Sequence, residues 1–131
     1  MMKSIAEKLL IKPDATLWSS HPGRLDLIGA LPDSVSIAKQ PAKASVAIVF
    51  ADDAASVRRI LAKQGDALAG REILWVAYPK ANRTDINRDS LWPILAEHGM
   101  RPIGQVAIDE EWSALRFRPL KDGEAPFTGG R

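Results

Sequence analysis

This chain lacks several residue types and patterns on which particular functions depend. It contains no cysteine, which excludes disulfides, thiolate catalysis and cysteine-ligated metals. Its two histidines, His21 and His98, are far apart in the sequence, so we predict no metal site. No apolar run approaches the roughly 20 residues that a membrane-spanning helix needs. The first residues, Met1 to Ser4, also lack the apolar core of a signal peptide. Together these absences predict a cytoplasmic protein without membrane contact.

A strong excess of charge of one sign is missing as well. The 131 residues include 18 lysines and arginines against 16 aspartates and glutamates, and the basic residues seldom cluster. The densest basic spots are the neighbours Arg58 and Arg59 and the pair Arg116 and Arg118. A nucleic-acid-binding module normally shows a basic stripe with aromatic platforms. The sequence therefore argues against nucleic-acid binding, and its length fits one domain.

Two apolar runs predict the centre of the fold. Val46 to Phe50 and Ile73 to Tyr78 show no polar alternation, so both faces of each strand should be covered. A strand buried on both faces usually lies inside a parallel sheet with helices above and below. Between the runs, Asp52 or Asp53 predicts the start of a helix and Gly70 predicts its end. Strand, helix and strand form a βαβ unit, which places the two strands parallel and side by side.

The remaining elements surround this unit. A third helix is predicted to begin after Ser90 as its N-cap, with Pro93 in its first turn, and to end at Gly99. Further predicted elements are a helix over Ser4–Leu10 with Ser4 as its N-cap, a strand over Thr16–Trp18, an edge strand over Val35–Ile37, and strands over Ile103–Ile108 and Trp112–Arg118. A tight acidic turn joins the last two strands into a predicted antiparallel hairpin.

These elements together predict a fold class and a domain division. We expect a three-layer, Rossmann-like α/β domain over residues 1–119, with a mostly parallel sheet and a C-terminal antiparallel hairpin. Residues 120–131 read as a polar C-terminal tail. The tail contains one aromatic residue, Phe127, which we expect to dock on its own domain, on a second subunit or on a neighbouring molecule in a crystal.

Four segments of the sequence carry a resemblance to known proteins: Ala6–Pro13, Val76–Lys80, Thr84–Asp89 and Ile108–Arg118. In these segments the chain resembles a small, uncharacterised bacterial family known only as a domain of unknown function. The element order over Val46–Pro119 is in addition similar to the C-terminal half of class I S-adenosylmethionine-dependent methyltransferases. In those folds a final hairpin inserts one antiparallel strand into a parallel sheet. The resemblance implies a degenerate or reduced methyltransferase scaffold.

The segments that would form the cofactor site differ from the methyltransferase pattern. Those enzymes have a glycine-rich turn after the first strand and an acidic residue after the second, which holds the ribose. Here the first turn, Ser19–Gly23, has one glycine and a stiff proline, and Ala38 and Lys39 follow the second strand. A Cβ atom in such a turn blocks close approach of the backbone to a cofactor. We therefore predict no cofactor bound in the usual manner.

A charged loop after the central strand is the leading candidate for a binding site. Open α/β sheets bind ligands beyond the carboxyl ends of their strands, and this loop also leads to a helix N-terminus, which favours anions. Its basic side chains would donate to a small anion such as phosphate or carboxylate, and its acidic side chains would orient them. The alternative is a solvated loop in which Asp89 or Ser90 caps the helix and Arg88 pairs with Asp85. The predicted ligand-binding residues are Lys80, Arg83, Asp85, Arg88 and Asp89.

Other polar and aromatic groups are more simply explained by structural roles. Ser19–His21 places serine beside histidine, but catalytic triads are spatial arrangements and no nucleophile-elbow glycines surround this pair. Asp109–Glu111 offers carboxylates for Mg²⁺ or Ca²⁺, but a hairpin tip lies in water. Trp75, Trp92 and Trp112 fit core or interface positions, with Trp112 as a candidate dimer contact. We assign no catalytic residue.

The function that the sequence favours is therefore binding. The leading hypothesis is a non-catalytic domain that binds a small anion or a partner protein on a degenerate methyltransferase-like scaffold. One alternative is an active S-adenosylmethionine-dependent methyltransferase with an atypical cofactor pocket. Another is a structural protein that assembles as a homodimer or larger homo-oligomer.

Overall fold

A computed structural model describes residues 4–127 of the chain. The helices are α1 (Ile5–Lys8), α2 (Ala54–Ala69) and α3 (Arg88–Ala96), and the strands are β1 (Thr16–Ser19), β2 (Ser36–Ile37), β3 (Val46–Phe50), β4 (Ile73–Pro79), β5 (Met100–Ala107) and β6 (Trp112–Pro119). Two 3-10 segments, Pro22–Ile28 and Pro41–Lys43, lie in the connections before and after β2. Within residues 4–127, no helix combines the length and apolar character needed to cross a membrane.

The strands form one sheet in the order β2-β1-β3-β4-β6-β5. The first four strands in this order are parallel, and β6 runs antiparallel to both of its neighbours. Val49 of β3 lies opposite Val76 of β4. The parallel β3–α2–β4 unit and the closing hairpin are thereby confirmed. Because the chain moves outward from β1 to β2 and then returns to the other side of β1, the strand order reverses between β1 and β3. Such a reversal opens a crevice at the carboxyl ends of the two strands.

Apolar cores cover both faces of the sheet. On one face, Val57 and Leu61 of α2 and Leu91 of α3 join a buried cluster with β3 and β4. On the other face, Leu9 beside α1 and Ile28 of the first 3-10 segment belong to a second cluster. Every residue of β3 is buried, as the absence of polar alternation predicted. The three-layer Rossmann-like fold class is therefore confirmed.

The first two helices begin where the sequence predicted. Ser4 caps α1 in a capping box with Glu7, and Asp53 caps α2 by accepting a hydrogen bond of 2.8 Å from the backbone nitrogen of Ser56. Each cap satisfies a backbone donor that the first helical turn leaves free. Gly70 is the C-cap of α2, also as predicted.

The start of α3 corrects a prediction. The N-cap is Asn87 rather than Ser90, and the Asn87 side chain accepts hydrogen bonds from the backbone of Asp89 and Ser90. Ser90 is the third helical residue and completes the capping box by bonding back to the Asn87 nitrogen at 2.9 Å. Pro93 is consequently the sixth helical residue, beyond the free first turn. It cannot donate to the carbonyl oxygen of Asp89, so one intrahelical bond is lost.

The outer edge of the sheet is irregular. β5 begins at Met100, earlier than the predicted Ile103, and its pairing with β6 shifts register between Pro102 and Gly104. Ile103 falls at this bulge and is 41% exposed. A bulge of this kind bends an edge strand and interrupts its ladder of hydrogen bonds.

The segment after β6 contacts the domain. Leu120 donates a backbone hydrogen bond of 2.9 Å to the carbonyl oxygen of Gly99. Glu124 forms ion pairs with arginines of β5 and β6, and Phe127 meets the ring of Trp92 edge to face at 4.9 Å between centroids. Docking of Phe127 on its own domain was one of the predicted roles. The predicted tail extends to residue 131, and residues 128–131 lie outside the described part of the chain.

Candidate functional site

A serine joins the carboxyl ends of β1 and β3. β1 ends at Ser19, and the hydroxyl oxygen of the next residue, Ser20, accepts a hydrogen bond of 2.8 Å from the backbone nitrogen of Phe50. The backbone nitrogen of Ser20 donates to the carbonyl oxygen of Ile48 at 3.1 Å. The two strands are thus bridged at the point where the strand order reverses.

An arginine from the first 3-10 segment reaches across the same edge. Nη2 of Arg24 lies 2.8 Å from Oδ1 of Asp52, which follows β3. The guanidinium carbon of Arg24 is 5.0 Å from the ring centroid of Trp112, and Trp112 meets Phe50 edge to face at 5.8 Å. The other amino nitrogen of Arg24, Nη1, is buried without a hydrogen-bond partner among the described residues. We call Ser20, Arg24, Asp52 and Trp112 the switch crevice.

The turn after β1 has ordinary backbone geometry. Gly23 is not among the residues with positive φ. A Cβ atom at Gly23 would lie 3.4 Å from Cε1 of His21, so this glycine leaves room for a histidine ring rather than for a ligand. This turn therefore has one glycine, without positive φ, in place of the glycine-rich turn of the usual methyltransferase cofactor site.

Two residues of the predicted anion site connect its loop to the hairpin by hydrogen bonds and an ion pair. Nζ of Lys80 donates a hydrogen bond of 2.5 Å to the carbonyl oxygen of Asp109, and the Lys80 backbone nitrogen donates to the carbonyl oxygen of Glu111 at 2.8 Å. The guanidinium of Arg83 lies 3.8 Å from the carboxylate of Glu111. Lys80 and Arg83 therefore have protein partners at the hairpin tip.

The other three residues of the predicted site do not converge. Oδ1 of Asp85 accepts a hydrogen bond of 2.8 Å from the backbone nitrogen of Ala54, so Asp85 caps α2 from a distant loop. Asp89 is exposed in the first turn of α3. Within residues 4–127, Arg88 forms no ion pair with Asp85 or Asp89. The alternative pairing of Arg88 with Asp85 is therefore wrong for the described residues.

A solvent-open cavity of about 510 Å³, lined by both polar and apolar groups, lies between the end of β4, the start of α3 and the hairpin. Two of the five predicted residues, Lys80 and Arg88, line it, and no carboxylate is among its lining residues. Nε2 of Gln105 donates to the Tyr78 hydroxyl at 3.1 Å and to the Ser113 hydroxyl at 3.2 Å. We call this space the edge cavity; its lining consists of Tyr78, Lys80, Ala81, Asn82, Asn87, Arg88, Gln105, Ala107 and Ser113.

Sequence reasoning missed the residues that the hairpin and the 3-10 segment contribute. Gln105 and Ser113 reach the edge cavity only because β6 pairs with β4, where Ser113 lies opposite Tyr78. Arg24 reaches the switch crevice across a sequence distance of 28 residues to Asp52. The available signal was one uncharged polar residue in each hairpin strand, Gln105 and Ser113, but its use requires the strand register.

The two remaining candidates have structural roles. Oγ of Ser19 accepts a hydrogen bond of 3.1 Å from the backbone nitrogen of His21, and no hydrogen bond joins a serine hydroxyl to an imidazole within residues 4–127. Asp109 accepts hydrogen bonds of 2.7 Å from the backbone nitrogens of Glu111 and Trp112, which orders the hairpin turn. In the described residues, no group of three acidic or histidine side chains could hold a metal ion.

No protein-family model matches this sequence, and no curated protein matches it significantly. Solved structures do match. The fold is similar to Sp1610 of Streptococcus pneumoniae, a candidate tRNA (m1A22) methyltransferase, at 15% identity over 98% of this chain and 74% of that one, with a TM-score of 0.59. The same protein in complex with S-adenosyl-L-methionine matches with a TM-score of 0.55, at 15% identity over 98% and 77% of the chains. The tRNA m1A22 methyltransferase TrmK of Bacillus subtilis matches at 13% identity over 95% and 71%, with a TM-score of 0.54.

At these identities the likeness concerns the backbone and not the side chains of a site. It extends over nearly the whole chain, whereas the resemblance of element order predicted from the sequence covered only Val46–Pro119. The chain therefore has a Rossmann-like fold similar to that of these three structures.

Proposed function

We propose that this chain is a methyltransferase that binds S-adenosylmethionine in an atypical pocket at the switch crevice. The observation that carries the proposal is the shared fold, which matches a candidate tRNA (m1A22) methyltransferase solved with S-adenosyl-L-methionine over 98% of this chain. Of the hypotheses drawn from the sequence, the comparisons support this one better than non-catalytic anion binding. Open α/β sheets bind ligands at the strand-order reversal, which here lies between β1 and β3.

The side chains of the switch crevice suit the amino-acid portion of such a ligand. Arg24 could donate from Nη2, which now pairs with Asp52, to the carboxylate of the ligand, and Asp52 could accept from its ammonium group. In the free protein these two side chains pair with each other. Asp52 is 59% exposed, and a pair this accessible to water contributes at most about 1 kcal/mol. A zwitterionic ligand could therefore replace the pair at small cost, with Trp112 forming the apolar wall.

Calorimetry tests the proposal. Wild-type protein is titrated with S-adenosylmethionine and S-adenosylhomocysteine, and micromolar binding is expected for at least one of them. Arg24→Gln should weaken that binding by roughly tenfold or more, because it removes a charge-assisted bond. Arg58→Gln is the matched control, since Arg58 forms an exposed 2.9 Å ion pair with Glu97 on the helical layer. The absence of binding heat for both compounds in the wild type would refute the proposal.

A second candidate function is favoured by the edge cavity. Lys80 and Arg88 line a space of about 510 Å³ that also presents amide and hydroxyl groups, which is the donor set that a small anion needs. This is the non-catalytic binding hypothesis, in which two of the five predicted residues, Lys80 and Arg88, remain as ligand donors. Thermal-shift screening against acidic metabolites should then show stabilisation that Lys80→Ala and Arg88→Ala each reduce. Equal shifts in both variants and the wild type would exclude the edge cavity.

Assembly as a homodimer remains a further proposal, based on partly exposed aromatic residues. Trp112, the residue suggested for this contact, is half-buried beneath Arg24 and packs against Phe50. Light scattering would measure the oligomeric state directly. A dimer that persists in Trp112→Ala would remove Trp112 from the interface.

A further inference from the structure

Two arginines on neighbouring strands hold one carboxylate. Arg101 of β5 and Arg118 of β6 are directly opposite each other in the antiparallel register. Arg118 donates from Nη1 to Oε1 of Glu124 at 2.8 Å and from Nη2 to Oε2 at 2.7 Å, while Nη1 of Arg101 donates to Oε2 at 2.8 Å. The backbone nitrogen of Lys121 supplies a fourth donor to Oε1 at 2.9 Å. Four donors thus converge on one carboxylate.

The charges at this place do not balance. Like charges directly opposite on paired strands repel each other, so the two guanidinium groups require an anion between them. Glu124 brings one negative charge against two positive ones. Arg116 adds a third cation two residues from Arg118 on the same strand face, and the Nε atoms of Arg101 and Arg116 are buried without a hydrogen-bond partner among the described residues. The hydrogen bond from Arg118 is the main cause that holds the pKa of Glu124 well below its usual range.

We propose that Arg101 and Arg118 form a binding site for a phosphate dianion, which the carboxylate of Glu124 occupies as an internal substitute. Arginine forks bind planar carboxylates and phosphate oxygens with the same paired geometry. A phosphate monoester or inorganic phosphate carries close to two negative charges above pH 7 and would neutralise both guanidinium groups. The arginines lie on paired strands, whereas Glu124 lies on the segment that follows β6, so the segment is the part that moves aside.

The charge count also predicts which phosphates are excluded. A phosphodiester carries one negative charge, the same as the glutamate that it would have to displace. It therefore has no charge advantage over Glu124. Glu124 in addition belongs to the same chain, six residues from Arg118, which raises its effective concentration at the site. The site therefore selects a dianion. Since Phe127 lies against Trp92 and 5.6 Å from the guanidinium of Arg101, displacement of Glu124 also loosens this aromatic contact.

Calorimetry with inorganic phosphate at pH 8 and low ionic strength tests the inference on the full chain. Glu124→Gln removes the competing charge, so phosphate should bind this variant on the order of tenfold more tightly than the wild type. The double variants Glu124→Gln/Arg118→Gln and Glu124→Gln/Arg101→Gln should each lose that binding. Glu72→Gln removes an exposed carboxylate elsewhere and should behave as the wild type. In a parallel titration of the wild type, which retains Glu124, dimethyl phosphate replaces inorganic phosphate.

The titrations can refute both the proposed phosphate site and its selectivity for a dianion. Equal phosphate affinity in Glu124→Gln and the wild type overturns the site, and so does unchanged binding in both double variants. Equal affinity for dimethyl phosphate and phosphate overturns the selection of a dianion. These outcomes are independent of S-adenosylmethionine binding, because no residue of the switch crevice is changed.

Discussion

The indole nitrogen of Trp75 donates a buried hydrogen bond of 2.9 Å to the carbonyl oxygen of Leu9. Trp75 lies on the central strand β4, and Leu9 is the C-cap of α1. The bond fixes the end of a four-residue helix onto the sheet, although a helix this short would not form alone in water. It also satisfies a carbonyl group that the end of the helix leaves free.

Replacement of Trp75 by phenylalanine should destabilise the protein. The Leu9 carbonyl would stay buried without a donor, which costs about 1–3 kcal/mol in the free energy of unfolding. Urea denaturation measures the loss. Trp92→Phe is the matched control, because Trp92 is half-buried and its indole nitrogen forms no hydrogen bond within residues 4–127. If Trp75→Phe lowers the free energy of unfolding no more than Trp92→Phe does, the hydrogen bond to Leu9 does not stabilise the protein as proposed.

Asp85 should stabilise α2 by its hydrogen bond and not by its charge. Asp85→Ala removes the acceptor for the Ala54 nitrogen and should cost about 0.5–2 kcal/mol, as loss of an N-cap does. Asp85→Asn keeps an acceptor oxygen and should lose less than the alanine variant. Thermal unfolding of both variants measures the difference. If asparagine costs as much as alanine, the charge of Asp85 at the helix N-terminus is the main contribution.

Two glycines should respond oppositely to alanine. A Cβ atom at Gly65, inside α2, would lie 3.4 Å from Nδ1 of His98, which is van der Waals contact, so Gly65→Ala should gain up to about 1 kcal/mol of stability. Gly99 has a φ of 73°, and Gly99→Ala should lose roughly 1 kcal/mol because a side chain strains that conformation. Chemical denaturation compares them. If Gly65→Ala lowers the free energy of unfolding, the His98 ring cannot shift to accommodate the added methyl group.

The contact between Phe127 and Trp92 should depend on pH. Hydrogen bonds from Arg118, the Lys121 backbone and Arg101 lower the pKa of Glu124 in the folded protein. A lowered pKa stabilises the docked segment above the unfolded value of roughly 4.3, and the stabilisation is lost as the pH falls further through the folded value. The Trp92 indole signal in NMR spectra should report undocking on acidification.

Glu124→Gln provides the control for this pH dependence. It should show the undocked Trp92 signal already at pH 7, whereas Glu72→Gln should follow the wild type. A docked segment in Glu124→Gln at neutral pH would assign the contact to the aromatic rings alone.

The sequence predicted the parts of the fold that local patterns determine. The apolar runs of β3 and β4 placed Val49 beside Val76, because uninterrupted burial and one intervening helix leave few other arrangements. Short-range side-chain chemistry identified Ser4 as the N-cap of α1 and narrowed the N-cap of α2 to Asp52 or Asp53, of which Asp53 is the cap. Asn87 was missed because a capping box contains two polar residues three apart, and Ser90 is the other member of that pair.

The candidate sites were less predictable because their contacts span the sheet. The sequence predicts one site in the charged loop, yet Asp85 caps α2, Lys80 bonds to the hairpin, and Arg88 lines a cavity. Spacing along a loop does not reveal which of several neighbouring elements each side chain will contact. Arg24 carried no signal at all, since its partners Asp52 and Trp112 become neighbours only when three strands are assembled.

The bulge between Pro102 and Gly104 affects how readily the sheet edge can pair with another molecule at high protein concentration. A straight, exposed strand invites another molecule to extend the sheet, and such growth has no natural end. Here one border is a strand of two residues, and the other is bent by the register shift. Neither border provides a template for continuous growth, so we expect the folded chain to resist fibre formation even at high concentration.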